Sequence, residues 1–417
     1  MIDIRKLKCG VTVVMDKIED SRAAAIGFFV KAGSINENKE NWGISHFIEH
    51  MMFKGTETRN AKEIAEEIDM MGAQINAYTS KETTCYFVKT LSSHLLDTAS
   101  VLIDMLTNSL FDEEEINRER NVILEEYKMT LDTPDDLAHE IAEKAVNSGN
   151  EFGKSIIGDV ESINGINREK MMEYINNWYT RDNIVVSVAG NFDEDEVCNF
   201  IEGKLSKLEE NLKEEYKFES EPYKPQMEVI VKDIEQSHFF LGTEGVKNTD
   251  PDYYVYSLVA SILGGSMSSR LFQAVRERKG LAYSVYSVNS SSSRNGAFYI
   301  YAGVAHENIE KAVEAIKEEL RIVAEEGFTV KEMTKAKEQL KASFIFGQEN
   351  VTTRMFSCGR ALILTGKVKS DDEVLENIEK VTLDDLNRVA RKLADYTNYS
   401  VGAVIGKEVD FKELLRK

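Results

Sequence analysis

Apolar positions along the chain follow two periods, one typical of strands and one typical of helices. The segments YFVKTL (86–91) and FYIYAGV (298–304) are rich in aromatic and β-branched residues and predict strands, and the start, MIDIRKLKCGVTVVMDK, alternates like a strand. An amphipathic helical pattern follows each of the first two segments: LLDTASVLIDML comes after YFVKTL, and NIEKAVEAIKEEL comes after FYIYAGV. Strand clusters followed by long helices predict α+β domains of two layers, each a largely antiparallel sheet with helices packed on one face.

The pattern occurs twice. KIEDS (17–21) recurs as DIEQS (233–237), and LFDEEEINRERNVILEEY (110–127) has the layout of GFTVKEMTKAKEQLKASF (327–344). A third pair of segments ends at Gly190 and Gly406, and all three spacings agree at about 216 residues. The sequence therefore predicts two related domains, 1–205 and 227–417, joined by a charged linker, 206–226.

Composition argues against a nucleic-acid-binding, secreted or membrane-spanning protein. The chain has 417 residues, 42% of them hydrophobic, which is enough for two cores. A net charge of −21 argues against a nucleic-acid binder. The four cysteines form no CxxC pair, which fits a reducing cytosol. We find no signal peptide and no apolar run long enough to span a membrane, so we expect a cytoplasmic protein without a membrane partner.

The run GISHFIEHMMFKGT (43–56) places three polar side chains in an apolar helix, predicted over 43–54 and ended by Gly55. His46 and His50 share one face, and Glu49 lies beside it. One interpretation is a pair of core histidines bonded to carbonyls. The other is a zinc site, because two neutral imidazoles at this spacing can bind one ion while the carboxylate takes a proton from zinc-bound water. His-x-x-Glu-His is the inverzincin order.

A third zinc ligand is expected on the helix predicted within EEEINRERNVILEEYKM (113–129). Its apolar stripe consists of Ile116, Ile123 and Tyr127. With Ile116 at 0°, Glu126 falls at about 280° and Glu119 at about 300°, both at the edge of the stripe, whereas Glu125 falls at about 180°. Glu126 is therefore the predicted ligand, and Glu119 can orient a ligand or the metal-bound water without itself contacting the metal. The alternative is that both carboxylates lie at the solvent border of the stripe.

These residues together resemble the pitrilysin family of zinc metallopeptidases, which includes the mitochondrial processing peptidase and insulin-degrading enzyme. The resemblance covers nearly the whole chain. GAQINAYTSKETTCYF (72–87) is similar to the family's sheet-edge segment, ERNVILEE (119–126) to its third-ligand helix, and LGGSMSSRLFQAVRERKGLAYSVYS (263–287) to a C-terminal segment carrying an Arg and a Tyr. The resemblance implies a doubled α+β domain that forms half of a clamshell, as in the short branch where two chains make the chamber.

The resemblance also implies a role for each site residue. His46, His50 and Glu126 are the expected ligands of one Zn²⁺ per chain, and Glu49 is the expected general base. Glu119 occupies the place of the family's second conserved glutamate. The remaining expected site residues are Asn76 and Ala77, which hold the substrate backbone, and Arg276 and Tyr283, which steady the substrate or the oxyanion.

The second domain serves as an internal control. The positions that correspond there to the five metal-site residues are Ile262, Gly265, Ser266, Ala336 and Ser343. One domain therefore keeps the set and the other has lost all of it. A purely structural role for these residues does not predict such joint loss.

The expected function is that of a zinc-dependent endopeptidase acting on unfolded or extended peptides inside a chamber formed by two chains. We expect a homodimer in which Arg276 and Tyr283 of one chain complete the zinc site of the other. Two alternatives remain: a non-catalytic binding or scaffolding subunit of the same family, and a zinc hydrolase of a non-peptide amide. The edge-strand segment disfavours the last of these.

Overall fold

A computed structural model describes residues 2–206, 208–210 and 218–416. Residues 207 and 211–217 of the predicted linker lie outside this described part. The described strands are β1 (Ile2–Lys6), β2 (Thr12–Lys17), β3 (Ala23–Val30), β4 (Gln74–Thr79), β5 (Thr84–Leu91), β6 (Ile184–Gly190), β7 (Met227–Val231), β8 (Ser237–Glu244), β9 (Ala282–Ser291), β10 (Gly296–Val304) and β11 (Ser400–Ile405).

The described helices lie between these strands and after the last of them. They are α1 (Ile44–Met51), α2 (Ala61–Met70), α3 (Leu95–Asn108), α4 (Glu113–Asp132), α5 (Pro134–Val146), α6 (Val160–Gly165), α7 (Arg168–Trp178), α8 (Glu194–Leu205), α9 (Tyr253–Gly264), α10 (Ile309–Glu326), α11 (Val330–Gln348), α12 (Val351–Thr365), α13 (Asp371–Lys380), α14 (Leu383–Leu393) and α15 (Phe411–Arg416). None of the described helices is both long enough and apolar enough to cross a bilayer.

The strands form two mixed sheets, of six and five strands, that share the same order of five strands. The first has the order β1-β2-β6-β3-β5-β4 and the second β7-β11-β8-β10-β9. In each sheet one pairing of described strands is parallel, β2 with β6 and β7 with β11, and the other pairings are antiparallel. The shared order confirms the predicted doubled α+β fold with largely antiparallel sheets. It also places β4 and β9 at corresponding sheet edges.

Two compact units partition the chain, and neither is contiguous in sequence. The first unit comprises the described residues of 1–127, 155–217 and 345–370, and the second those of 128–154, 218–344 and 371–417. The predicted ranges were 1–205 and 227–417. Each unit instead includes one helical segment from the other range: the first unit includes 345–370, and the second includes 128–154. Helix α5 packs on β8 and β11 of the second sheet, and its counterpart α12 packs on β2, β3 and β6 of the first.

The predicted helical layer covers one face of the first sheet, where α1, α3, α7 and α8 contribute to the main core of the unit. The opposite face carries α12, which forms a second core with β3, β5 and β6. Contact here is close: a Cβ on Gly359 of α12 would come within 2.2 Å of the Phe29 ring, so only glycine fits. An ion pair from the partly buried Arg354 to the buried Asp16, with contacts of 2.5 and 2.9 Å, fixes α12 in place.

Candidate metal centre

The short helix α1 begins in the interior, and one carboxylate satisfies its first amides. Glu37, itself buried, accepts hydrogen bonds from the N–H groups of Gly43 at 2.8 Å and Ser45 at 2.9 Å. Gly43 has φ = 89°, and a Cβ at this position would lie 2.2 Å from the Ile157 carbonyl oxygen. The negative charge at the helix N-terminus also complements the helix dipole. This start fixes the rotation of α1 and therefore the direction of its histidines.

Three potential ligand atoms converge between α1 and α4. The rings of His46 and His50 lie 4.6 Å apart. The Nε2 atoms of His46 and His50 lie 3.7 and 3.6 Å from Oε2 of Glu126. Ligands around a tetrahedral ion with bonds of 2.0–2.1 Å are separated by about 3.3–3.5 Å. The described residues contain one group of three or more His, Cys, Asp or Glu side chains arranged to hold a metal, and it is this one. Its spacing and its N,N,O donor set fit Zn²⁺.

His46 has the electrostatics of a metal ligand. Burial and, to a smaller extent, the neighbouring His50 together lower its pKa to about 3, so the imidazole is neutral at ordinary pH. A neutral imidazole is the form that binds zinc. Its Nδ1 is buried and has no hydrogen-bond partner among the described residues, while its Nε2 faces Glu126. Nε2 of His46 is therefore the nitrogen that can bind a metal, because it faces the ligand atoms of His50 and Glu126.

Glu119 orients the second histidine. It lies on α4, is only 6% exposed, and contacts His50 Nδ1 at 2.8 Å and Lys54 Nζ at 2.5 Å. Burial favours its neutral form, but the hydrogen bonds from His50 and Lys54 outweigh burial and lower its pKa. The charged Glu119 therefore holds the proton of His50 on Nδ1 and leaves Nε2 free to point toward Glu126.

Glu49 lies on the same helix turn but bonds in another direction. The hydroxyl of Thr79, the last residue of β4, donates a hydrogen bond to Glu49 Oε2. Burial raises the pKa of Glu49; the Thr79 bond and His50 oppose this shift, and Glu126 adds to it. A carboxylate with a raised pKa is a stronger proton acceptor. The structure thus places a candidate base between the three ligand residues and the edge strand.

The substrate-binding residues expected in the first unit lie on β4, which is an edge strand paired on one side with β5. The exposed Asn76 accepts a hydrogen bond from the N–H of Ala77 at 2.8 Å through its side-chain oxygen. A side chain that occupies a backbone N–H is typical of a strand edge without a strand beyond it. The structure confirms the edge position of Asn76 and Ala77, and their contact with substrate stays a prediction.

Arg276 and Tyr283 lie in the second unit and contact each other. Arg276 belongs to a π-helical turn, Phe272–Arg278, and its guanidinium lies 5.1 Å from the centre of the Tyr283 ring. Tyr283 is 74% exposed and sits at a β-bulge, where the register between β9 and β10 shifts. Bulges and π-turns both re-aim side chains. The structure brings this pair together, and its role in catalysis stays a prediction.

Three residues of the site have no counterpart in the sequence-based prediction: Glu37, Lys54 and Thr79. Lys54 lies four residues after His50, so its position one helical turn further was a usable signal. Glu37 and Thr79 act through contacts that no periodic pattern encodes.

Comparisons with known proteins point to one family. The model of the family described as "Insulinase (Peptidase family M16)" matches residues 12–160, and the model described as "Peptidase M16 inactive domain" matches residues 165–340. The chain is 39% identical over 400 residues to the "Uncharacterized zinc protease YmxG" of Bacillus subtilis (strain 168), covering 94% of this chain and 95% of that protein.

Two solved structures show the same fold. A Pseudomonas fluorescens structure described as a peptidase M16 inactive domain has a TM-score of 0.88 at 19% identity and covers 98% of this chain and 99% of its own. A protease from Helicobacter pylori also has a TM-score of 0.88, at 22% identity, and covers 97% of this chain and 99% of its own.

Proposed function

Because the chain belongs to peptidase family M16, we propose that it is a zinc-dependent endopeptidase acting on unfolded or short extended peptides. The observation that carries the proposal is the convergence of His46, His50 and Glu126 beside the half-buried Glu49. Family membership alone does not require this arrangement. A chain that had lost activity has no need to keep three ligand atoms and a base aligned on two separate helices.

The three ligand residues would hold one Zn²⁺ per chain, with Glu119 orienting His50. When bound in such a site, zinc polarises the substrate carbonyl and makes water a better nucleophile. Glu49 supplies the proton transfers. Its carboxylate accepts a proton from the attacking water and then delivers that proton to the amine nitrogen as the peptide bond breaks. The bond from Thr79 keeps this carboxylate pointed toward the edge strand, where the scissile bond would lie.

The expected mode of substrate binding is addition of a strand to β4. An extended peptide satisfies its own backbone at the open edge and needs few side-chain contacts. Asn76 and Ala77 would contact that backbone. Folded proteins have no free strand to offer, so unfolded segments and short peptides are the expected substrates.

Arg276 and Tyr283 would complete the site from a second copy of the chain. Tyr283 is exposed, and the Arg276 guanidinium is stacked against its ring. A second chain could therefore contact both side chains together. A cation and a phenol near the developing oxyanion stabilise the transition state of amide hydrolysis. The active form in this proposal is a cytoplasmic homodimer enclosing a chamber.

A mixed peptide library, incubated with zinc-loaded protein, tests the activity. We expect cleavage that a chelator abolishes and that zinc restores. Glu49→Gln should keep its zinc and lose cleavage, because the base is not a ligand, whereas His50→Ala should lose zinc. Peptide binding without any cleavage by the wild-type protein would overturn the proposal in favour of the non-catalytic binding subunit.

Subunit mixing tests the dimer. Glu49→Gln protein and a protein carrying Arg276→Ala and Tyr283→Phe are each expected to be inactive. If sites are completed in trans, a mixed dimer has one site with both defects and one site with none. With equal amounts, half of the dimers are mixed, so activity should return to about a quarter of wild type. Failure to recover activity after demonstrated subunit exchange would contradict completion in trans.

A further inference from the structure

The two faces of the edge strand β4 lie in different surroundings. Side chains alternate along a strand, and Ile75 and Ala77 pack into the core on the α1 side, where Thr79 also reaches Glu49. Tyr78 packs on the opposite side, in the core formed with α12. Asn76 has the same parity as Tyr78 and shares its face. A peptide added beyond β4 would likewise send alternate side chains to the α1 face and to the α12 face.

Helix α12 carries an arginine to this second face. Phe356 anchors the helix, with its ring 6.2 Å from Phe29, 4.7 Å from Phe87 and 5.6 Å from Tyr78. Arg360 follows one turn later on the same side of the helix. Its guanidinium lies 5.1 Å from the centre of the Tyr78 ring, at the edge of the sheet, and the side chain is exposed. The exchanged helix thus places a cation beside the strand to which substrate is expected to add.

The charge of this cation is not offset by an acidic side chain in the described part of the chain. Among the described residues no carboxylate forms an ion pair with Arg360, and the segment 350–370 contains no Asp or Glu. Lys89 on β5, opposite Gln74 of β4, adds a second positive charge to the same face. The chain as a whole has a net charge of −21, whereas this face carries these two cations. Electrostatic complementarity of this kind selects binding partners.

We propose that Arg360 is a specificity-determining residue that favours substrates with Asp or Glu at the position facing α12 beside Tyr78. The inference rests on the proposed peptidase function and on strand addition at β4. Side chains directly opposite each other on neighbouring antiparallel strands have Cβ atoms about 4.5–5.5 Å apart. A substrate side chain opposite Tyr78 therefore comes within reach of the guanidinium above that ring. Its carboxylate would form a bidentate pair with Arg360.

The position of this residue in the substrate follows from the strand geometry. Thr79, the neighbour of Tyr78, holds the candidate base Glu49. At about 3.3 Å per residue, a substrate residue paired with Tyr78 lies within about two positions of the scissile bond. Acidic preference should consequently appear close to the cleavage site, on the residue opposite Tyr78, because Arg360 lies over that ring and the two adjacent substrate residues face the α1 side.

The test uses peptides that are identical except for Glu, Gln or Lys at each position near the cleaved bond. With wild-type protein, kcat/KM should be about two- to fivefold higher for Glu than for Gln at one position, as an exposed ion pair supports, and lower for Lys. Arg360→Gln should remove the difference, and Arg360→Glu should favour Lys. The matched control is Lys367→Gln, which removes an exposed charge just after the same helix and should leave the preference intact.

The Gln peptide separates the possible failures. Its cleavage by wild type and by Arg360→Gln at similar rates shows that the variant is folded and that the peptidase proposal holds. If wild type then shows no Glu preference at any position, or if Arg360→Gln retains it, the role of Arg360 is overturned and the peptidase proposal is not. If no peptide is cleaved with zinc present, both proposals are overturned together.

Discussion

Replacing Glu119 by glutamine should weaken zinc binding although Glu119 is not a ligand in the proposed centre. The carboxylate is 6% exposed and accepts the hydrogen bond from His50 Nδ1 at 2.8 Å. Glutamine keeps the size of the side chain and an oxygen that can accept this bond, but it removes the charge. Without the charge, the proton on Nδ1 and the orientation of Nε2 toward Glu126 are held less firmly.

The expected loss of zinc affinity depends on the hydrogen bond to His50 that the glutamine keeps. Loss of an outer-shell partner of a metal-bound histidine costs about 10- to 100-fold in metal affinity. A charge-assisted hydrogen bond is roughly twice as strong as a neutral one, so the glutamine retains part of the interaction. We therefore expect a loss near the lower limit, about tenfold or about 1.4 kcal/mol, for Glu119→Gln. Glu119→Ala, which keeps no acceptor, should approach 100-fold.

Competition with a chromogenic zinc chelator at constant pH measures the affinity. Unfolding of the metal-free proteins by urea checks that the variants are folded, and the gain in stability on adding zinc gives an independent reading of the same loss. Lys54→Met is the matched control, because it removes the other contact of Glu119 and leaves the bond to His50. Zinc affinity of Glu119→Gln within twofold of wild type would refute the orienting role.

Three further outcomes are expected. Glu126→Gln should lose most of its bound zinc on dialysis and Glu125→Gln, whose side chain is exposed, should keep it; metal analysis showing equal losses would contradict the ligand assignment. A stable folded domain should be cut far more slowly than its denatured form at equal concentration, because strand addition needs a free backbone, and similar rates would exclude the chamber. Arg354→Met leaves the buried Asp16 without its partner and should lower the free energy of unfolding by about 3 kcal/mol in urea titrations, with a change under about 1 kcal/mol arguing against this role.

The fold was predictable where a pattern repeats. The spacing of about 216 residues predicted the doubling, and the two sheets have the same strand order apart from the additional β1 of the first sheet. The helix predicted over 43–54 ends earlier, at Met51, with a turn before Gly55. The distinction between Glu125 and Glu126 came from the helical period alone, and the structure places Glu126 beside both histidines and Glu125 at the surface.

The exchange of helices was not predictable for a physical reason. Apolar residues such as Val351, Met355 and Cys358 show that α12 buries one face, but amphipathicity does not specify which sheet covers that face. The same limit applies to Thr79 and Glu49, which are 30 residues apart. Their hydrogen bond depends on the tertiary placement of β4 against α1. Sequence periodicity therefore found the ligands and missed the contacts that aim them.

Helix α12 packs on the first sheet but is synthesised long after the strands of that sheet. The last helix of the first half, α8, ends at Leu205, whereas the face of β3 that packs on α12 stays uncovered until Thr365 has been made. At roughly 5–20 residues per second, the intervening stretch of about 160 residues takes of the order of ten seconds to synthesise. During that interval Phe29 and its neighbours present an apolar sheet face to the cell. We expect the nascent first half to depend on chaperones, and a chain cut at the linker to regain solubility only when the second half is co-expressed with it.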